Sequence, residues 1–126
     1  YGAYLQSSAY SAISYSTMVG VNSYGLYLTG SDTNTVSYSF ILGGADGLGL
    51  ASGSDANAIS YSTLTAAINS GFLADASDRN SVTRSYMAAA RYGARLQNGA
   101  DDNMISLSTM AGSRATPLPI RQTLSG

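Results

Sequence analysis

The sequence predicts an all-β protein, a β-solenoid of about five 23-residue strand-turn-strand rungs, and three observations predict it. The segments ISYSTM, VSYSFI, ISYSTL, VTRSYM and ISLSTM begin at Ile13, Val36, Ile59, Val82 and Ile105, 23 residues apart each time. Within them β-branched and aromatic residues alternate with Ser, the period of a strand. Between the alternating stretches lie turn-forming segments such as TGSDTN and SGSDAN, and periodicity of this length is the mark of a stacked-repeat architecture.

The first element of each unit is the looser motif: YGAYLQ from Tyr1, YGLYLT from Tyr24, DGLGLA from Asp46, SGFLAD from Ser70 and YGARLQ from Tyr92. It also alternates, with Ala3 and Leu5, or Leu26 and Leu28, on one face. The second element is the turn, whose Gly, Asn and Asp accept a bent backbone. Its Asp recurs as Asp32, Asp55, Asp78 and Asp101 and its Asn as Asn34, Asn57, Asn80 and Asn103, while the first copy carries Ala9 and Ser11 instead. The third element is the second strand, with Ile13, Tyr15 and Thr17 on one side and Ser14 and Ser16 on the other. The repeats occupy residues 1–112. Residues 113–126 form a non-repetitive C-terminal cap or tail, where Pro117 and Pro119 would block backbone pairing.

An isolated rung cannot bury both faces of its strands, so each needs neighbours above and below, at the roughly 4.8 Å spacing of adjacent strands. The expected core is a ladder of Ile13, Val36, Ile59, Val82 and Ile105, opposed by Leu5, Leu28, Leu50, Leu73 and Leu96, with the Ser ladders outward. The same alternation sends Arg84 inward, at the position of Tyr15, Tyr38, Tyr61 and Leu107. A buried unpaired guanidinium is costly, so the fourth rung is expected to be distorted or its core open. That rung also contains SVTRSYMAAARYGARLQ, with good helix formers and Arg84, Arg91 and Arg95 at near-helical spacing. An α-helical repeat protein is therefore the structural alternative.

Composition narrows the function classes. There is no Cys, His, Trp, Lys or Glu; seven Asp and six Arg carry all the charge, and only 10% of residues are charged. Soluble domains average about a quarter. Ser, Thr, Asn and Gly replace the usual charges, which favours close contact between copies. A net charge of −1 gives no electrostatic reason to expect nucleic acid. No apolar run approaches the roughly 18 residues of a membrane helix, so no membrane insertion is expected. The chain starts in mid-pattern without an initiating Met, as expected of a processed product or a fragment.

Without Cys there is no disulfide, thiolate site or cysteine nucleophile, and without His the commonest general base is missing, so the chain is not expected to be an enzyme or to need a cofactor. Asp32, Asp55, Asp78 and Asp101 are weak calcium candidates, because carboxylates stacked in register repel unless a cation intervenes; an Asx-turn role is the favoured reading. Tyr15, Tyr38 and Tyr61, with Tyr1, Tyr4, Tyr24 and Tyr27, suit packing ladders more than exposed ladders for a surface or sugar. GGADGLG, at residues 43–49, lacks the Lys of a phosphate loop and reads as a turn.

In its organisation over residues 1–112, and locally in GSDANAISYST, the chain resembles the curlin family, the major subunits of bacterial curli fibres. The resemblance implies an extracellular, self-templating, amyloid-like fibre of a biofilm matrix. The expected partner is then a second copy, stacked end to end at the cell surface through the ladders of Ile13, Tyr15, Asn34 and their equivalents. The alternative function is an ice- or surface-binding β-solenoid module of a secreted adhesin, presenting the ladder Ser14, Ser37, Ser60, Thr83 and Ser106.

Overall fold

Each repeat closes one turn of a solenoid, and each turn contains three strands. The computed structural model describes residues 1–114 together with the backbone of residues 121–123. Sheet A stacks β1 (Ala3–Gln6), β4 (Tyr24–Thr29), β7 (Asp46–Ala51), β10 (Ser70–Asp75) and β13 (Tyr92–Gln97). Sheet B stacks β2 (Ala12–Ser14), β5 (Thr35–Ser37), β8 (Ala58–Ser60), β11 (Ser81–Thr83), β14 (Met104–Ser106) and β16 (Arg121–Thr123). Sheet C stacks β3 (Thr17–Gly20), β6 (Phe40–Gly43), β9 (Thr63–Ala66), β12 (Tyr86–Ala88) and β15 (Thr109–Ala111). Every pairing is parallel and joins consecutive rungs, as in Ile13↔Val36, Val36↔Ile59, Val82↔Ile59 and Val82↔Ile105. The β-solenoid of about five rungs is thus the fold. The helical alternative fails in the rung that suggested it, because SVTRSYM forms β11 and β12 and no helix occurs among the described residues.

The third strand arises because ISYST is two strands joined by a corner. Tyr15, Tyr38, Tyr61, Arg84 and Leu107 all have φ between +46° and +50°, the left-handed region that costs a non-glycine residue roughly 1–2 kcal/mol. The kink breaks the alternation at that residue. Tyr15 and Thr17 were expected inside and Ser16 outside; instead Tyr15 and Thr17 are exposed, and Ser39, Ser62 and Ser85 of the Ser16 column are buried. Arg84 follows its column outward, so the fourth rung needs neither distortion nor an open core. Regular bonding offsets the strain: the N–H of Ser16 donates to Ser39 Oγ, Ser39 to Ser62, Ser62 to Ser85 and Ser85 to Ser108, at 3.1–3.2 Å.

The core is built from inward columns. Sheet B supplies the Ile13 to Ile105 ladder and sheet C the column Met18, Ile41, Leu64, Met87, Met110. Sheet A supplies Ala3, Leu26, Leu48, Phe72, Ala94 and, two residues on, Leu5, Leu28, Leu50, Ala74, Leu96. Burying a large apolar side chain contributes about 1.5–3 kcal/mol, and each middle rung buries several. Leu73, expected in the Leu5 ladder, lies on the outer face beside Gly49 and Arg95, and Ala74 takes the inward place. The reason is a compensated shift: two residues join β6 to β7 where three join β9 to β10, while six residues follow β7 where five follow β10. Pro117 and Pro119 lie outside the described residues, and beyond them β16 pairs in register with β14.

Candidate functional site

The three corners carry the polar chemistry, and the corner between sheets A and B is the most regular. Asn34, Asn57, Asn80 and Asn103 are buried there. Asn57 Oδ1 accepts from the Asn34 backbone N–H at 2.8 Å and from Asn34 Nδ2 at 3.1 Å, and Asn57 Nδ2 donates to the Ser31 carbonyl at 2.9 Å. Asn80 repeats these bonds one rung on. Beside them Ser31, Ser54 and Ser77 form a second buried ladder, in which the N–H of Ser31 donates to Ser54 Oγ and that of Ser54 to Ser77 Oγ. The Asp ladder runs outside the same corner. The N–H groups of Asp55, Asp78 and Asp101 donate to Oδ1 of Asp32, Asp55 and Asp78 at 2.7–2.9 Å, and Asp55 Oδ2 also pairs with Arg79 at 3.3 Å. One oxygen of each of these three carboxylates is thus committed to backbone, and the described residues hold no group of three or more acidic, His or Cys side chains that could bind a metal ion.

The corner between sheets B and C turns the tyrosine ladder outward. Tyr15, Tyr38 and Tyr61 stack with ring centroids 5.0 and 4.8 Å apart and planes within 4°, and the Arg84 guanidinium caps the Tyr61 ring at 5.8 Å. The stack covers ring faces and leaves edges and phenol hydroxyls in water: Tyr15 is 79% exposed, Tyr38 49% and Tyr61 47%. Between this ladder and the Thr17–Phe40 column lies a groove of about 510 Å³, floored by Ser16 and Ser39. A second tyrosine group, Tyr1, Tyr4, Tyr24 and Tyr27, stacks over the outer face of sheet A, with centroids 4.4–6.0 Å apart.

The corner between sheets C and A is irregular. Its column reads Tyr24, Asp46, Ser70, Tyr92, and Asp46 and Ser70 are buried. Burial pushes the Asp46 carboxyl above its ordinary value, an effect that Asn69, Ser70 and the charge of Arg95 partly offset. Ser70 is close enough to act on that carboxylate, yet its Oγ makes no hydrogen bond of good geometry, the one such buried side-chain atom among the described residues. Burial, with Asp46 beside it, pushes the Tyr24 phenol up to about 12. The spacing of 23 did mark the Ser16 column but set it on the wrong face; nothing in the repeat marks Asp46 or Phe40, because both depart from it.

The family model described as NosD, periplasmic copper-binding protein, matches residues 1–115. No curated protein and no solved structure matches the chain.

Proposed function

This chain belongs to the NosD family, described as periplasmic copper-binding protein, and from that premise we propose that it is a non-catalytic structural β-helix module that assembles with further copies of itself outside the cytoplasm. One observation carries the reading: every middle rung hands the next the same bonds, through Asn34 to Asn57 to Asn80 and Ser39 to Ser62 to Ser85. A rung of this kind is a template for another. β1, β2 and β3 stand at one edge of their sheets among the described residues, and a parallel edge strand pairs with a strand of matching register. The curlin-like period supports the same reading, in a rung of three strands where that resemblance implied two.

Copper does not fit the side chains present. Protein copper sites draw on imidazole, thiolate and thioether donors, and the chain has no His and no Cys. Met18 and Met87 are buried in the core, Met110 packs against it, and Met104 sits on the outer face of sheet B. No step is therefore assigned to copper. The family's description is periplasmic, which agrees with a location outside the cytoplasm; assembly into a cell-surface fibre is the finer part of the proposal.

Sedimentation velocity of the purified chain from 1 to several hundred micromolar tests it. Growth of species beyond the monomer supports the reading, and a monomer throughout overturns it. The surface-binding reading rests on the outward column Ser14, Ser37, Ser60, Thr83 and Ser106 of sheet B, although Thr83 and Ser106 spend hydroxyls on each other at 3.1 Å. Ice-crystal shaping by the chain would favour it over assembly.

A further inference from the structure

The groove beside the tyrosine ladder has features that neither core packing nor rung stacking requires. Phe40 stands where the first and third rungs carry Thr17 and Thr63 and the fourth Tyr86, and its ring is 41% exposed. Together with the three outward tyrosines it makes a contiguous aromatic patch along one wall and the next, the kind of exposed apolar surface that suits a ligand. The groove follows the solenoid axis, because its walls are columns that run from rung to rung. The residues that line it carry no charge, and the Arg84 guanidinium over the Tyr61 ring stands at one end, so the lining itself offers a nucleic acid or an acidic polymer no row of cations.

Its floor is already satisfied. The N–H groups of Tyr15 and Tyr38 donate to the carbonyls of Ser37 and Ser60, and that of Phe40 donates to the carbonyl of Ser16. The N–H groups of Ser16 and Ser39 donate to the serine hydroxyls of the next rung, and those two residues' own hydroxyls donate to the carbonyls of Ser14 and Ser37. A peptide strand, which binds by pairing backbone with backbone, finds no free N–H on these residues. What remains is a row of tyrosine ring edges and phenol hydroxyls repeating at the 4.8–5.0 Å step of the stacked rings, with the Phe40 ring and the Thr17 hydroxyl beside them.

We propose that this groove binds a neutral linear polysaccharide lying parallel to the solenoid axis. Such a ligand offers apolar C–H surface to the Phe40 ring and the tyrosine ring edges and regularly spaced hydroxyls to the phenols, and it carries no charge to be left unpaired. The volume of about 510 Å³ falls within the range of about 300–1,000 Å³ typical of ligand sites.

The test is affinity electrophoresis of the full chain, at a concentration where sedimentation shows monomer, in gels containing hydroxyethylcellulose, dextran or the anionic polygalacturonate. Retardation by at least one neutral polymer and not by polygalacturonate is expected. Phe40→Thr and Tyr38→Leu place in the second rung residues that the same columns already carry at Thr17 and Leu107, so both variants keep the fold. Each should weaken retardation by about fivefold, the effect of losing one aromatic contact of about 1 kcal/mol; Phe40→Thr should leave the melting temperature unchanged, whereas Tyr38→Leu also removes two ring stacks and should lower it. No retardation by either neutral polymer, retardation by polygalacturonate, or equal retardation of both variants and parent overturns the proposal. None of these outcomes depends on whether the chain assembles.

Discussion

The corner between sheets A and B and the corner between sheets C and A belong to the same turns of the same solenoid, yet they treat buried polar groups in opposite ways. At the first, identical residues recur, and each amide or hydroxyl meets its equivalent one rung away: Asn57 Oδ1 accepts from the backbone N–H and from Nδ2 of Asn34, and Ser54 Oγ accepts from the N–H of Ser31. At the second, Tyr24, Asp46, Ser70 and Tyr92 succeed one another. There a hydroxyl goes without a good hydrogen bond and a carboxyl is held above its ordinary pKa. Repetition therefore does more than set the period: in a parallel stack it satisfies buried polar groups, since a residue that bonds its own kind needs no other partner.

The comparison is broken most directly at Asn57. Asn57→Ala leaves the Asn34 N–H and the Ser31 carbonyl unpaired inside the solenoid, and should cost about 3 kcal/mol in urea unfolding. A loss under 1 kcal/mol would mean that the ladder is incidental. Ser62→Ala strands the Ser39 N–H and should cost about 1.5 kcal/mol by the same measurement.

At the irregular corner the sign reverses. Burial holds the Asp46 pKa above 3.8 in the folded chain, so the native state takes up a proton at a higher pH than the unfolded chain does. Stability from this group is full below the unfolded value and is lost as pH rises through the raised folded value. Asp46→Asn should therefore stabilise the chain more at pH 7 than near pH 3.8, with the gain fading as pH falls. An equal effect at both pH values would locate the cause outside titration. Ser70→Ala removes a hydroxyl without a good partner and should change the melting temperature least, by about a degree in either direction.

Much of the fold was legible because the Ile13 to Ile105 ladder keeps an unbroken spacing of 23 and its strands pair in that register. The third strand was not, because its signal is a backbone angle: Tyr and Arg are uncommon at positive φ, and nothing in ISYST announces that Tyr15 takes it. Once the corner is missed, alternation carries every later residue to the wrong face, which is how Ser16 was set outside and Arg84 inside. Leu73 failed for a different reason: the steps are 22 residues from Leu28 to Leu50 and 24 from Leu50 to Ala74, because a residue removed at one corner is restored at the next, and a step of 23 from Leu50 misses that. Of the candidate site, the tyrosines were visible as a ladder, but the groove depends on Phe40 and on the direction of the corner. Asp46 stayed hidden inside DGLGLA, whose other members follow the strand pattern.

X-ray fibre diffraction from a concentrated, aligned preparation of the chain tests the templating account most directly. The account predicts an ordered fibre with a reflection near 4.8 Å along its axis, the rung spacing continued from one copy to the next. A preparation that stays monomeric and scatters without orientation at millimolar concentration would contradict it.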